Sequence, residues 1–500
     1  MFRKALIIMI FAEGLSFAAF NFPVLILPLL AIAGVGTLYL SWSKPEWGIY
    51  ILFGELFIGS RGHLFEYDLG VVSVSLRLVI FAAVFIAWIL KFQISNFKYQ
   101  IIAQIPNHKF QLIYFLLLSV IGFGILNGFL HNNTLGNIFN DMNGYLYLLI
   151  LPAALSAIKT REQIRTILQI LGAAIVIIAA KTLGLFLWFT FSLGGVVALY
   201  HWIITQDFGE ITGDVGKASR IFMQSQFYAL VGVFIFSVFT LPLPLPSREG
   251  NKKENSSLLA GEVRRGGVLN WVIIFCALLS VLMSLSRSFW LGAAVGGLFS
   301  IIIVFWYFRA NFWAFWALGL KLGAIAILEI IILYGIIVAG GGGVAGAVAS
   351  RGVNPAQEAA GSARLLLLPE LVNHITRSPI FGAGFGTVVS YKSYLPDRVT
   401  TDNPDGEITN FAFEWGYLDI ILKLGVVGLC VYLFFLARIF RLGWSLLLTT
   451  HNLQTLGLLS GLVALLALNI TTPYLNHPLG IGYLILCLVI FNSEHSDVYS

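Results

Sequence analysis

Several arginines stand at the ends of long apolar segments, where a charge is costly unless it has a partner. Arg287 lies in the stretch SLSRSFWLG, between two such segments, Arg220 begins another, and Arg61 and Arg77 flank a third. Arg364 lies apart from these, in a predicted helix of the long connection 341–412. A charge near the edge of a bilayer usually pairs with another group. The planar guanidinium donates two parallel hydrogen bonds to phosphate oxygens and stays charged. The pattern therefore predicts an anion site that suits a pyrophosphate; the alternative is that Arg287 snorkels to lipid headgroups.

A carboxylate that could take part in acid–base chemistry follows a long polar segment, in the stretch FEWGYLD at residues 413–419. Glu414 could accept a proton from a hydroxyl group. The alternative is a glutamate that faces the positive end of a helix or pairs with Arg287 or Arg364. Other candidate bases are Glu407, Asp402, His374 and His477. The sequence shows no Asp-x-Asp pair or histidine cluster, so we predict neither a metal nor a cofactor.

The composition places these residues in a membrane protein. The 500 residues are 58% hydrophobic and only 11% charged, whereas a soluble domain is about 25% charged. The formal net charge of +6 is scattered around apolar segments, which does not suggest a nucleic-acid partner. We therefore predict one membrane domain over residues 1–500, an all-α bundle of about 12–14 spans in a lipid bilayer.

Hydropathy and the positions of basic residues predict how the chain crosses the membrane. The segment 163–199 is taken as one crossing, because basic residues then collect in the inner connections. This arrangement places the N-terminus in the cytoplasm. The predicted spans are 4–21, 22–41, 46–60, 72–91, 110–128, 143–158, 163–199, 220–241, 269–285, 288–307, 312–340, 413–437, 453–470 and 478–492.

Two connections between the predicted spans are long. Residues 242–268 are polar and flanked by proline and glycine, which predicts a disordered cytoplasmic insertion. Residues 341–412 form a large loop on the outer, periplasmic side, with short helices, and a loop of this length is usually functional. Its GAGFG stretch lacks the Lys-Ser/Thr of a nucleotide-binding loop. The large loop is therefore the predicted place of the site.

Three motifs in this order resemble the O-antigen ligase and polymerase family. They are SLSRSFWLG, then SARLLLLPELVNHITRSPIFGAGFG in the large loop, then FEWGYLDIILKLGVVGL, and the resemblance covers roughly residues 215–440. In that family a Ser-Arg turn precedes the loop, an arginine begins the loop helix and a glycine-rich turn ends it. The matching residues are Arg287, Arg364, Pro379, Gly382, Gly384 and Gly386.

The resemblance implies a membrane glycosyltransferase at the outer face of the bacterial inner membrane. Its donor would be an oligosaccharide linked to undecaprenyl diphosphate, and its acceptor a hydroxyl of another glycan or lipid-linked sugar. The arginines would then stabilise the departing diphosphate. Arg287 and Glu414 are the expected catalytic residues. The expected substrate-binding residues are Arg220, Arg364, Arg77, Arg61, Tyr417 and Trp415.

The chain departs from the ligase pattern after the loop. Ligases of the family typically carry HNxYLxxxxELG there, and alignment on Gly425 puts Glu414 at the histidine and Lys423 at the glutamate. This departure favours a polymerase, or another glycan transferase, over a ligase. The alternative function is a transporter of a small anion such as bicarbonate, which buried cations would also serve. Lys181, in the middle of a predicted span, is explained by neither function.

Overall fold

The computed structural model describes residues 1–70, 73–94, 107–212, 220–241, 267–309, 312–341, 359–393 and 403–499. Within these residues the chain is mainly helical, and nine helices are long and apolar enough to cross a membrane. The predicted all-α polytopic bundle is therefore confirmed. Most of the predicted insertion 242–268 lies outside the described residues, as do Asp402 and residues 342–358 of the predicted loop.

Most helices follow the predicted spans. Two differences are that residues 220–223 of the predicted span 220–241 form a strand, and that the helix over the predicted span 413–437 continues to Thr450. In chain order the described helices are α1 Phe2–Asn21, α2 Ile26–Ser43, α3 Pro45–Ile58, α4 Leu76–Ile94, α5 Asn107–Leu130, α6 Leu135–Leu146, α7 Leu151–Ala157, α8 Arg161–Thr190, α9 Val196–Thr205, α10 Gln226–Val238, α11 Gly267–Ser284, α12 Arg287–Tyr307, α13 Phe312–Ala339, α14 Ala359–Arg377, α15 Gly416–Thr450, α16 Leu453–Leu468 and α17 Pro478–Tyr499. Short 3-10 turns cover Pro23–Leu25 and Tyr147–Ile150.

Two predicted spans have a more detailed form in the structure. Most of segment 163–199 is α8. At its start the side chains of Thr160 and Gln163 each accept a backbone N–H of the other residue, which forms a capping box. The chain then turns through Gly195, at φ 82°, into the separate helix α9. Segment 143–158 is broken, because α6 ends at Leu146 and a 3-10 turn leads into α7. A proline, Pro152, stands in the first turn of α7, where its missing N–H is tolerated.

Burial separates helices of the bundle centre from helices that face lipid. Along the most apolar stretch of α17, 83% of the residues are buried, and for α8 the share is 67%. For α13 it is only 6%. An apolar helix surface with no protein against it suits the hydrocarbon of a bilayer. The helices α8 and α17 therefore form the centre, and α13 lies at the rim.

Within the described residues, three antiparallel strand pairs lie between helices. Their strands are β1 Glu66–Asp68, β2 Ser73–Ser75, β3 Gly209–Thr212, β4 Arg220–Met223, β5 Val389–Lys392 and β6 Glu407–Asn410. The hydroxyls of Ser60 and Ser225, next to the first two strand pairs, are 3.1 Å apart. The Asn133 amide donates to the carbonyl of Phe385, 2.9 Å away. The connections therefore meet at one end of the bundle, which we call the loop end.

Cysteine-accessibility labelling tests the orientation of the loop end. A single cysteine at Thr409 or Lys217 should react from outside the cell, whereas one at Arg438 or within 249–265 should react only after permeabilisation. The reason is that basic residues are retained on the cytoplasmic side. The native cysteines to be replaced beforehand are Cys276, Cys430 and Cys487. Reaction of 249–265 from the outside would invert the topology.

Candidate functional site

The connection between α16 and α17, residues 469–477, joins several segments that carry predicted site residues. We call it the hub segment. The Thr472 hydroxyl lies 2.7 Å from the hydroxyl of Ser288, in the first turn of α12. The Tyr474 phenol donates to the carbonyl of Gln224, 3.0 Å away and just after β4. The start of α12 and the end of β4 therefore meet at the hub segment.

The first turn of α15 also packs against the hub segment. Gly416, its first residue, approaches Asn469 so closely that an added Cβ would lie 2.5 Å from the Asn469 carbonyl oxygen. One turn further along, the Asp419 carboxylate accepts a hydrogen bond from the side chain of Asn476. The sequence motifs around Arg287 and Glu414 are thus brought to one place by a segment that belongs to neither motif.

Arg287 is the first residue of α12, after a connection of two residues from α11. Its side chain is exposed, whereas Phe289 is buried with ring centroids 5.6 Å from Phe222 and 6.1 Å from Tyr474. Phe289 therefore anchors the turn in the bundle and leaves Arg287 accessible. The first N–H groups of a helix have no partner within it, so they add positive potential at this position.

Arg220 lies beside the same turn. Its Nε donates to the carbonyl of Ser284, 3.0 Å away, and its guanidinium stands 4.9 Å from the ring centroid of Phe222. A guanidinium nitrogen is 3.7 Å from the Glu210 carboxylate on the paired strand. Since Ser284 is only three residues before Arg287, the structure brings these two predicted arginines together.

Arg364 and Glu414 form an ion pair. The Arg364 side chain is 31% exposed and that of Glu414 48%, so the pair remains open to solvent. Among the roles that the sequence allows for Glu414, the structure shows the ion pair with Arg364. The contact joins the loop helix α14 to the residues just before α15. A small apolar cluster beneath it consists of Leu367, Leu371, Val389, Tyr391, Phe413 and Leu422.

Trp415 and Tyr417, predicted to contact substrate, also hold this region together. The Trp415 indole N–H donates to the carbonyl of Arg364, 3.1 Å away. The Tyr417 phenol donates to the carbonyl of Leu466, 2.8 Å away. Their polar atoms are thus engaged, and any contact with a substrate would use the ring faces.

Arg61 and Arg77 lie at the loop end but have different surroundings. The Arg61 side chain is 44% exposed and pairs with Asp207, 2.5 Å away. The Arg77 side chain is only 4% exposed, and its Nε lies 2.9 Å from the Glu55 carboxylate. The other two guanidinium nitrogens of Arg77 are enclosed and have no hydrogen-bond partner in the described residues.

His477, the last residue of the hub segment, lies within the electrostatic influence of these arginines. Burial lowers the pKa of the His477 imidazole well below its usual range, and the charges of Arg77, Arg61 and His63 lower it further. The imidazole is therefore neutral at pH 7. Its Nδ1 accepts the backbone N–H of Leu479 at 3.3 Å.

The glycine-rich turn of the large loop, residues 378–387, docks into a break in α15; we call it the glycine turn. At Gly425 the backbone leaves helical geometry, with φ 71° and ψ −178°. A helix break inside a membrane frees polar backbone groups that need new partners. Backbone hydrogen bonds between the two segments supply them, and the pairs are Ala383–Leu422, Gly384–Lys423, Val426–Pro379 and Val427–Ile380.

Close backbone approach explains why the turn contains glycine. Gly384 has φ 86°, and an added Cβ would lie 2.2 Å from the backbone nitrogen of Gly128 on α5. Asn127, beside it, donates its side-chain amide to the carbonyl of Gly382, 2.9 Å away. The matched family motif is thus a structural device that fixes the large loop to α5 and α15.

Behind the glycine turn lies a buried charge network that the sequence did not indicate as part of the site. The Lys423 ammonium contacts the carboxylates of Asp141 and Asp419, the latter at 2.6 Å. All three side chains are at most 5% exposed. Asp141 also accepts the backbone N–H of Gly386 at 2.9 Å. In the sequence Lys423 is a departure from the ligase pattern and a charge within a span that could snorkel or be paired, but its partners cannot be identified. Asp141 is 282 residues away, and Asp419 lies in the same apolar segment as Lys423.

The remaining candidate bases lie at the edge of this region. Glu407 is exposed on β6. His374 lies on α14, where partial burial and then Arg377 lower its pKa. Asp402 is outside the described residues. We therefore keep Glu414 as the foremost candidate base.

Lys181 has a structural explanation. Its ammonium lies 2.8 Å from the Glu13 carboxylate on α1 and 3.9 Å from the ring centroid of Phe208. Lys181 and Lys423 are therefore both ion-paired within the bundle. Neither ammonium is available to bind an anion that a transporter would carry.

An apolar cavity of about 380 Å³ lies between α10, α12, α13 and α16. Its lining includes Phe234, Gly297, Ser300, Phe315 and Gly457. Gly297 and Ser300 are on the same helix that begins with Arg287, ten or more residues further on. At about 1.5 Å per residue, the cavity begins roughly 15 Å along that helix from Arg287.

Residues 272–433 match the family model described as O-antigen ligase, and no curated protein matches the chain. The matched region runs from α11 into α15 and includes Arg287, Arg364, the glycine turn and Glu414. The resemblance to this family is confirmed there, and it supports a membrane enzyme that transfers glycans.

Proposed function

We propose that this membrane protein, which carries an O-antigen ligase domain at residues 272–433, transfers an oligosaccharide from undecaprenyl diphosphate to the hydroxyl of an acceptor sugar. The reaction would take place at the loop end, on the periplasmic face of the bacterial inner membrane. The observation that carries the proposal is the meeting of Arg220 and Arg287 at one turn, next to the hub segment that also holds the first turn of α15.

The arginines would act on the donor. When the bond between the sugar and the diphosphate breaks, the electron pair stays with the diphosphate and negative charge develops on its oxygens. Arg287 is accessible at the start of α12, and Arg220 is held beside it through Ser284. Fixed donors placed where charge develops stabilise the transition state more than the ground state.

Glu414 would act on the acceptor. The acceptor hydroxyl oxygen forms the new bond to the anomeric carbon, and its proton passes to the carboxylate. Arg364 pairs with Glu414 and so holds the carboxylate in place. The faces of Trp415 and Tyr417 would contact acceptor sugars. Because Glu414 replaces the histidine of the ligase pattern, we favour polymerisation of lipid-linked repeat units over ligation.

Arg61 and Arg77 would support the same anion at a greater distance. Arg61 is exposed enough to reach a phosphate oxygen, in exchange for Asp207. Arg77 is enclosed with Glu55, so it would act through its charge on the loop end. The apolar cavity along α12 would take the hydrocarbon chain of a lipid whose diphosphate lies at Arg287.

The glycan profile of a deletion strain tests the proposed function. Loss of the protein should collapse long surface glycans to a single repeat unit if it is a polymerase. Unattached polymer on the lipid carrier should accumulate if it is a ligase. Re-expression of the parent chain should restore the profile. An unchanged glycan profile in the deletion strain would contradict glycan transfer by this protein.

A further inference from the structure

We propose that Asp141, Lys423 and Asp419 are positioning residues for glycan transfer. We call these three residues the carboxylate–lysine network. The inference rests on the proposed function. Lys423 contacts both carboxylates, and all three side chains are shielded from solvent, so we assign them no direct contact with substrate. They would act by fixing the segments that carry the reacting groups.

Each carboxylate of the network holds a different segment. Asp141, on α6, accepts the backbone N–H of Gly386 and so holds the glycine turn that ends the large loop. Asp419, on α15, accepts the amide of Asn476 and so holds the hub segment. Lys423 joins the two carboxylates from the side of α15.

The segments held in this way surround the proposed site. Glu414 lies five residues before Asp419, His477 follows Asn476, and α14 with Arg364 leads directly into the glycine turn. A shift of any one segment would change the distance between the donor arginines and the acceptor carboxylate. A misplacement of about 1 Å can lower a catalytic rate roughly 100-fold.

The energetics of buried ion pairs also favour a role in geometry. Removing charges from water is costly, and apolar residues of similar volume are often at least as stabilising. A fully buried network with two carboxylates and one ammonium is therefore a poor source of stability. It does, however, impose directional contacts that apolar packing cannot supply.

The net charge of the network predicts that substitution of Lys423 will lower the transfer rate more than substitution of Asp419. With all groups ionised the network carries one net negative charge. Lys423→Met, of similar volume, leaves two buried carboxylates without their cation, so that they repel each other or one of them takes up a proton. In both cases α6 and α15 lose the ammonium that joins them. Asp419→Asn leaves the neutral pair of Asp141 and Lys423. The double variant Lys423→Met/Asp419→Asn restores one net negative charge and keeps the Asp141 contact to the glycine turn.

Transfer kinetics on purified protein test the positioning role. Lys423→Met should lower kcat about 100-fold and change the KM for the lipid-linked donor less than about threefold, because the donor arginines are on other segments. Asp419→Asn should lose about fivefold or less, and the double variant should regain about tenfold over Lys423→Met. Parent-like kcat in Lys423→Met would overturn the proposal.

Hydrogen exchange provides a readout that does not depend on activity. Peptides covering 378–393 should exchange faster in Lys423→Met than in the parent, since Asp141, which accepts the Gly386 N–H, is no longer held by Lys423. The matched control is Lys181→Met, which removes the ammonium from another ion pair, with Glu13, away from the glycine turn. It should leave exchange in 378–393 and kcat per folded molecule unchanged.

Transfer kinetics and hydrogen exchange together distinguish a failure of the positioning role from a failure of the proposed function. Unchanged exchange in Lys423→Met, with an active parent, would show that the network does not hold the turn. Faster exchange with parent-like kcat would show a structural role without positioning. A parent that transfers no glycan, while exchange responds as expected, would instead count against the proposed function.

Discussion

Arg287→Lys should slow the transfer of lipid-linked glycan by about 30- to 1000-fold, which corresponds to roughly 2–4 kcal/mol of transition-state stabilisation. Lysine keeps the positive charge but loses the planar pair of donors that fits two phosphate oxygens. The exposed position of Arg287 at the start of α12 means that the substitution should leave the fold intact. An in vitro transfer assay on purified protein, at matched expression, measures the loss.

The same substitution at another site provides the control. Arg441 is exposed near the opposite end of α15, where it is predicted to face the cytoplasm. Arg441→Lys should elongate glycan at the parent rate. If Arg287 only anchors the chain to headgroups, lysine would replace it without loss. Elongation by Arg287→Lys at close to the parent rate would therefore remove Arg287 from the site.

The helices were predictable from the sequence because an apolar run of membrane length has few alternative structures. Segment 163–199, for example, contains the long helix α8, although that helix ends at Thr190 and α9 begins at Val196. The break at Gly425 was not predictable, since its new hydrogen-bond partners come from the glycine turn some forty residues earlier. The family resemblance identified the glycines of this turn, but only the structure shows that they dock against α5 and α15.

The sequence predicts which arginines belong to the candidate site, but it mostly does not predict the residues with which they pair. The sequence allows Glu414 to pair with Arg364 or with Arg287, and the structure shows the pair with Arg364. The Asp207 partner of Arg61 lies 146 residues away, and the Asp141 partner of Lys423 lies 282 residues away. Such pairs depend on how the helices are arranged, and hydropathy carries no information on that arrangement.

Gly384→Ala should destabilise the protein by about 2–5 kcal/mol and abolish most of the transfer activity. An L-residue in the left-handed region costs roughly 1–2 kcal/mol, and overpacking against a close neighbour adds about 1–3 kcal/mol. The neighbour here is the backbone nitrogen of Gly128, 2.2 Å from the added Cβ, which cannot rotate away as a side chain would. The turn should therefore leave the break in α15 and take the large loop with it. Thermal unfolding of the detergent-solubilised protein, together with the transfer assay, measures both effects.

Alanine substitutions at two other glycines provide controls that distinguish the clash with Gly128 from the strain of a positive φ. Gly70 has nearly the same backbone angle, φ 85°, but no atom of the described residues lies within 4 Å of an added Cβ, so Gly70→Ala should show the strain alone. Gly323, on α13, also has open space and no positive φ, so Gly323→Ala should leave stability unchanged or raise it slightly. If Gly384→Ala loses no more stability than Gly70→Ala, the close approach to Gly128 does not hold the large loop. In that case the glycine turn would not be what fixes Arg364 and Glu414 beside α15, and the geometry proposed for the acceptor side would have to be given up.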